Sequence, residues 1–310
     1  MDYYRLGKVK WWQSQAYYHT MAEMGREGLI ICYPDTPYVC LGLHDDLKQE
    51  INQEYCTQQK LPLLRRETGG GVVYLDNRQI FFQLILNRNN PLLPLNRTKF
   101  YKRFLQPAIR VCQKLGLKAQ LKEPADIVIE RKKCSGNAAG DIGEGVAYVG
   151  NLLINFDCEV MCNVLRTPSA EYKQFLKQAM NSNLTYLSER VSPARLGHES
   201  LINMLEKEYS YLFPLEPTRL DNQIKERAEL MYKHLTARDW LEIVGKIRNY
   251  RSVKIAEEVY LNEHRLENGQ SIIVMVKDGI ITSLNSAPDR SDWKKYIGTR
   301  WTPDFTVQSS

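Results

Sequence analysis

The chain has 310 residues, 43% hydrophobic and 25% charged, a composition that can bury a substantial core as one large domain, alone or with a smaller one. Lys and Arg number 42 against 36 Asp and Glu, a net charge of +6. That surplus suits an acidic partner, but no dense basic run interleaves with aromatics, so nucleic-acid binding is not expected. The seven cysteines (Cys32, Cys40, Cys56, Cys112, Cys134, Cys158 and Cys162) are odd in number, and none has CxxC spacing. A disulfide framework and a thiolate metal site are therefore not expected, and a reducing compartment is. The opening MDYYRLGKVKWWQSQ has no apolar core of a leader peptide, and no apolar run is long enough to span a bilayer, so a cytoplasmic protein without membrane contact is expected.

In chain order, residues 11–26 predict a helix from apolar positions at mixed three and four spacing. Residues 29–34 and 38–43 predict strands parted by the turn Asp35-Thr36-Pro37. Residues 48–58 predict a polar helix that turns Tyr55 and Cys56 inward. Strands follow over 61–67, 72–76 and 79–86, with TGGG at 68–71 between the first two and a reversal from Asp76 to Arg78. A long helix is predicted over 98–116, capped by Thr98 or Asn96 and kinked or split by Pro107. Strands at 125–130 and 145–156 come next, the latter apolar enough for a central place. Helices are predicted at 170–180, 197–213 and about 220–234, with Pro214 and Pro217 between the last two. Three short strands close the chain, 257–263, 271–277 and 280–286. Asn268-Gly269 and Asp278-Gly279 stand at their reversals, dipeptides that favour primed hairpin turns. Helices at 239–247 and 291–298 are expected to cover one face of that small sheet. The predicted architecture is mixed α+β. A large domain on a mixed sheet with flanking helices runs over 1–240, and a small α+β domain over 245–310.

Two segments carry chemistry. In Arg65 to Asp76, RRETGGGVVYLD, three glycines at a strand junction let a ligand approach the backbone and offer N–H groups to an anion. Arg65 and Arg66 add bidentate donors. The same residues would also serve as a glycine bulge beside two solvated arginines. The spacing fits neither a Walker loop nor a dinucleotide fingerprint. In Arg131 to Gly140, RKKCSGNAAG, a lysine at a strand end can meet an oxygen as it becomes negative, or simply decorate a charged turn.

Taken together, the segments resemble the lipoate–protein ligase family, within the superfamily that also holds octanoyltransferases and biotin–protein ligases. Arg65, Arg66, Gly69, Gly70, Gly71 and Asp76 match its arginine–glycine motif. Lys133, Ser135, Gly136 and Ala138 match its lysine motif, Asp126 the aspartate on the strand before, and Gly42 the glycine after the first strand pair. The resemblance spans most of the chain, including the three-stranded tail. It implies a lipoate–protein ligase that uses ATP and Mg2+ to make an acyl-adenylate from lipoate or octanoate, then passes the acyl group to a lysine of a lipoyl domain. Lys133 would contact the acyl carbonyl and the adenylate phosphate, Gly69 to Gly71 would lie along the ligand, and Asp126 would sit near the adenine or lysine side. Val72, Tyr74, Leu75, Val149 and Leu152 are candidates for the acyl pocket. No metal ligands are assigned.

The chain departs from the family at four positions. Leu75 and Val149 replace histidines found in many relatives, Gly140 an arginine and Ala125 an asparagine. Each change removes a polar group from the expected ligand shell, and phosphate recognition should suffer first. The transferase branch implies a second activity, octanoyl transfer from acyl carrier protein through a cysteine thioester, without ATP or another cofactor. Cys134, Cys158 and Cys162 are its candidate nucleophiles, each equally readable as a buried structural cysteine. A third reading is a non-catalytic relative that binds a lipoyl or carrier domain. The expected acceptors are lipoyl domains of 2-oxoacid dehydrogenases or the glycine-cleavage H protein, and the chain is expected to be a monomer.

Overall fold

The computed structural model describes residues 1–93, 97–248, 250–265, 271–286 and 291–302. It opens with β1 (Asp2–Val9), α1 (Gln13–Glu23), β2 (Gly28–Pro34) and β3 (Tyr38–Leu41). Then come α2 (Leu47–Glu50), α3 (Gln53–Gln58), β4 (Leu63–Arg65), β5 (Val73–Leu75) and β6 (Gln79–Asn87). The predicted helix over 48–58 is two short ones because Ile51 is extended and bridges to Leu165, and the Asn52 carboxamide then caps α3 at Tyr55 N–H. Cys56 is buried there, and Tyr55 packs at the edge of the same core.

Next are α4 (Arg97–Phe104) and α5 (Gln106–Lys114). The long helix is split at Pro107, which occupies the first turn of α5, where a missing N–H costs nothing. The predicted caps at Asn96 and Thr98 lie outside the described residues and side chains. Strands not read from sequence interrupt the expected pattern in this half of the chain: β1 itself, β7 (Ala119–Lys122), then, after β8 (Asp126–Ile129), β9 (Lys132–Lys133) and β10 (Asn137–Ile142). The last makes a strand of what reads as a small-residue loop. The chain continues through β11 (Gly145–Leu153), α6 (Cys158–Val164), α7 (Ala170–Asn183), α8 (His198–Ser210), β12 (Glu216–Pro217), α9 (Asn222–Thr236) and α10 (Arg238–Leu241). It ends in β13 (Ser252–Ala256), β14 (Val259–Arg265), β15 (Ser271–Lys277) and β16 (Ile280–Ser286), followed by a 3₁₀ turn over Ser291–Tyr296.

The main sheet has the order β10-β11-β6-β2-β1-β12. It is mixed: β1 runs parallel to β2 and β12, while the β2–β6, β6–β11 and β11–β10 pairs are antiparallel. Strands β6 and β11 are buried on both faces, as their apolar runs require. Side chains alternate. Ile80, Phe82 and Leu84 join a core under α5 and α8, whereas Phe81 and Ile85 face α1 and α9. Gly150 permits this tight centre, since a Cβ there would lie 2.3 Å from the Phe82 ring. Two three-stranded sheets, β4-β3-β5 and β7-β8-β9, carry the two chemical segments.

The C-terminal sheet has four strands, β13 to β16, one more than expected. Asp278 and Gly279 both have positive φ, 52° and 76°, as a primed hairpin turn demands. The other predicted reversal, Asn268-Gly269, lies outside the described residues. Val253, Ile255 and Leu261 share a core with Tyr172 and Leu176 of α7, and the Tyr172 hydroxyl donates to the Leu261 carbonyl at 2.8 Å. Trp293 in the 3₁₀ turn covers the opposite face. The helix predicted over 239–247 stops at Leu241, for a reason found in Arg65 below. The fold is thus mixed α+β, a large mixed sheet with flanking helices and a small C-terminal sheet. Among the described residues no helix is long and apolar enough to cross a membrane.

Candidate active site

The glycine segment leaves β4 and folds back over β3. Its two arginines have different tasks. Arg65 is fully buried and turns away from the loop. Its guanidinium donates to six carbonyls: Gly42, Leu43 and Asp45 on one side, Trp240, Leu241 and Ile243 on the other. It thereby satisfies the carbonyls at the end of α10, and residues 242–248 continue as a strap without helix or strand. Arg66 turns inward and donates to the carbonyls of Gly69 (2.8 Å), Gly71 (2.9 Å) and Cys40 (3.3 Å), so it shapes the loop from within. Gly42 lets the loop close, because a Cβ there would lie 1.9 Å from the Gly70 oxygen. His19, buried in α1, holds the loop's base. Its Nδ1 meets the Gln15 carbonyl at 2.8 Å, and its Nε2 accepts the Glu67 N–H at 3.0 Å. Both contacts suit a neutral ring, and burial pushes its pKa down to about 3.

The lysine segment is a hairpin. Strand β8 starts at Asp126 and pairs with β9, so Lys133 stands beside Asp126, with Nζ to Oδ1 2.8 Å. The other oxygen, Oδ2, accepts the Glu257 N–H at 2.6 Å, a bond from the turn between β13 and β14. Lys132 points elsewhere, to the Asn181 carbonyl. Ser135 Oγ accepts from Ile127 N–H and from the Asn137 carboxamide. Gly136 N–H donates to Asn151 Oδ1 at 2.6 Å, and Asn151 Nδ2 donates to Gln79 Oε1 at 2.7 Å.

Both segments open into one cavity of about 520 Å³. Of the residues singled out in the sequence, Arg66, Gly70, Gly71, Val72, Tyr74, Leu75, Asp126, Lys133, Ser135, Gly136, Ala138 and Val149 line it. Ala125, one of the departures, lines it too. The others do not. Arg65 works on the far side of its strand, and Gly69 only gives its carbonyl to Arg66. Asp76 closes the β5–β6 reversal with Arg78, Nε to Oδ2 2.7 Å. Leu152 faces the opposite core, because the pleat of β11 sends Val149, Asn151 and Leu153 to the cavity and Leu152 away. Gly140 backs onto the loop, where a Cβ would sit 3.0 Å from Thr68 Cγ2 and 3.1 Å from its Cα, so the family's arginine would not fit this packing unchanged.

The three candidate nucleophiles are off the cavity wall. All seven cysteines are free and buried. Cys134 points into the core, and its contact with the Cys112 thiol together with burial pushes its pKa far up. Burial also raises the Cys158 thiol, which bonds Tyr186 Oη, and lifts Cys162 to about 12. Cys40, not singled out in the sequence, does line the cavity, with Sγ 3.4 Å from the Arg66 guanidinium. Burial outweighs that charge and raises its pKa as well.

Sequence reasoning missed several lining residues. Gln79, Phe81 and Gln83 of β6 and Asn151 of β11 form the floor, with Gln15 from α1. A signal for them existed: Gln79 and Gln83 are polar exceptions, four residues apart on one face of an apolar strand. Lys246, Arg248, Lys254, Glu257 and Tyr260 come from the strap and the C-terminal sheet, and only the tertiary fold brings them in.

Residues 9–210 match the family described as the lipoyl protein ligase A/B catalytic domain. A lipoate–protein ligase of Streptococcus pyogenes is 30% identical over 55% of this chain, and lipoate–protein ligase 1 of Staphylococcus aureus 28% over 47%. The matched segments span about half of those relatives, 49% and 43%. The octanoyltransferase LipM of Kyrpidia tusciae is 23% identical over 66% of this chain and 83% of its own length. Among solved structures, a bipartite lipoate protein ligase of Thermoplasma acidophilum superposes with a TM-score of 0.69 at 18% identity, over 80% of this chain and 98% of that one. Lipoate-protein ligase A bound with ATP superposes at 0.62 and 18% identity, over 78% of this chain and 98% of that one. At such identity these likenesses speak for the fold, while the match over 9–210 covers most of the chain. The chain belongs to the lipoyl protein ligase A/B catalytic domain family.

Proposed function

We propose that this chain is an enzyme that attaches a lipoyl or octanoyl group to a lysine of a lipoyl domain by ATP-dependent activation. One observation carries the reading: Lys133, held by Asp126, enters the cavity that the glycine loop also lines, and none of the three expected thiol nucleophiles reaches it. The acyl carboxylate would attack the α-phosphorus of ATP, and pyrophosphate would leave. The amine of the acceptor lysine would then attack the acyl carbonyl, lose its proton and release AMP. Lys133 would meet the oxygen that becomes negative in both steps. Lys246, Arg248 and Lys254 give the cavity the cationic wall that phosphates need, an alternative to the arginine absent at Gly140. Mg2+ would enter with the ATP phosphates, which need only one or two carboxylates from the protein. The proposed boundary puts the catalytic unit in 1–240 and the smaller unit in 245–310, with the latter supplying part of the wall. The acceptor is a lipoyl domain of a 2-oxoacid dehydrogenase or the glycine-cleavage H protein, met by a cytoplasmic monomer.

Cys40 keeps the transferase route in view, because it is the cysteine on the cavity wall. Mass analysis separates the routes. The ligase reading expects a lipoyl domain to gain an octanoyl or lipoyl group only with ATP and the free acid. A gain from octanoyl acyl carrier protein without ATP, with a thioester on this chain, would replace it with the transferase. Inertness in both assays would favour a binding role.

A further inference from the structure

The strap over 242–248 borders the cavity and presents apolar side chains to solvent. Of the seven large apolar side chains that stand exposed among the described residues, three fall within five positions of it: Ile243 (44%), Val244 (72%) and Ile247 (66%). Single exposed aliphatics are ordinary on a protein surface, whereas a group of them on one short segment marks a contact surface. Lys246 and Arg248 of the same segment line the cavity, and the three aliphatics stand outside its wall. The backbone of the strap is pinned. Ile243 gives its carbonyl to Arg65, Lys246 N–H donates to the His44 carbonyl at 2.8 Å, and Gln49 bonds both main-chain groups of Arg248. Gly245 lies so close to the Asp45–Asp46 peptide that a Cβ there would come within 2.3 Å of it. The aliphatics therefore stand on a fixed scaffold, and little backbone freedom is lost when a partner covers them.

The place of the patch says what covers it. The lining residues that are exposed, and so mark the mouth of the cavity, are His44, Gly70, Gly71, Lys246 and Lys254. Lys246 and Lys254 make that mouth basic, although Lys254 shares its charge with Glu257 at 2.8 Å. The lining carboxylates, Asp45, Glu50, Asp126 and Glu257, are all half-buried or buried. Glu242, the acid on the strap, is paired with Arg238 at 3.0 Å. An acceptor lysine has only a four-carbon stem with which to reach past this mouth toward Lys133, so the body that carries it must rest on the rim. We infer that Ile243, Val244 and Ile247 form the docking surface for the acceptor domain, which meets them with an apolar patch and the lysines with acidic residues near its own lysine. The aliphatic group supplies the dry centre of the contact, and Lys246 with Lys254 supplies its charged edge. The inference rests on the acyl-transfer reading above and adds the surface by which the acceptor is recognised.

Separating the two half-reactions tests it. Octanoate-dependent exchange of pyrophosphate into ATP reads activation alone, and the mass gain of an apo lipoyl domain over a range of its concentration reads transfer. In the double variant Val244→Ser, Ile247→Ser, exchange should stay within about twofold of the wild type, while KM for the domain rises about tenfold with kcat little changed. Direct binding of the apo domain to the full chain, without ATP or acid, should weaken by the same factor. Wild-type binding should also weaken as salt screens the lysines. Unchanged KM and affinity in the double variant overturn the docking surface. A loss of exchange that matches the loss of transfer overturns it as well, because the strap would then belong to the nucleotide cavity. Wild-type binding indifferent to salt overturns the acidic partner. A concentration-dependent dimer of the wild type that the double variant loses would give the patch to a second copy of this chain and overturn the inference too. If the wild type neither exchanges nor transfers, the proposed activity fails, and the direct binding of the domain to wild type and double variant then decides the docking surface by itself.

Discussion

Lys133, Asp126 and His19 are each defined by one or two partners, and those partners decide how the site behaves. Asp126 is shared: one oxygen on Lys133, the other on the Glu257 N–H. The C-terminal sheet is thus tied by its backbone to the lysine that the proposed chemistry needs. His19 is buried neutral, with a pKa of about 3 against an ordinary value near 6.5. A group whose folded pKa is depressed adds stability that is present above the unfolded value and lost as pH falls toward the folded one. His19→Gln can still accept from Glu67 and cannot protonate. In urea unfolding, the advantage of the wild type over His19→Gln should shrink steadily from about pH 6.5 to 4. A difference constant across that range would mean that His19 does not hold the loop's base as a neutral ring.

At the scale of elements, Arg65 determines where α10 ends. It gathers the carbonyls of Leu241 and Ile243 with those of the β3–α2 turn. Gly245 and Lys246 then donate to Asp46 and His44, and Gln49 brackets Arg248 through both its amide atoms. Arg65→Ala should cost roughly 3 kcal/mol by leaving buried carbonyls unpaired. Trypsin should then cut the strap after Lys246 or Arg248 before global unfolding. A variant as stable and as protease-resistant as the wild type would rule out this role for Arg65. The same arginine explains what was legible in the sequence. RRETGGG announced a ligand loop, yet it could not reveal that Arg65 serves a distant strap and Arg66 the loop itself, because both choices depend on contacts far apart in the chain. Apolar runs identified β6 and β11 as strands and the central place of β11. The helix at 239–247 failed because Arg65 competes for its carbonyls, and β10 was missed because Asn137 to Gly140 are small residues that only pairing with β11 makes a strand. Lys133 and Asp126 came through the family motif, whereas Gln83 needed the pleat.

At the scale of the molecule, the small sheet is bonded into the large body. Tyr172, Leu176, Val253 and Ile255 share one core, and Lys122 donates to the Glu257 carbonyl. Unfolding should therefore be a single transition, with Trp fluorescence and far-UV circular dichroism coinciding in denaturant. Two separated transitions would make the C-terminal sheet an independent unit. The central claim is that Lys133 activates an acyl group in this cavity for transfer to a lipoyl domain. Its most direct measurement is the rate at which a purified lipoyl domain gains mass with ATP and octanoate or lipoate, for the wild type, Lys133→Ala and Lys132→Ala. The expected result is ATP-dependent modification by the wild type, a loss of roughly a hundredfold or more in folded Lys133→Ala, and near-normal rates in Lys132→Ala, whose ammonium bonds the Asn181 carbonyl. Wild-type rates in Lys133→Ala would contradict it.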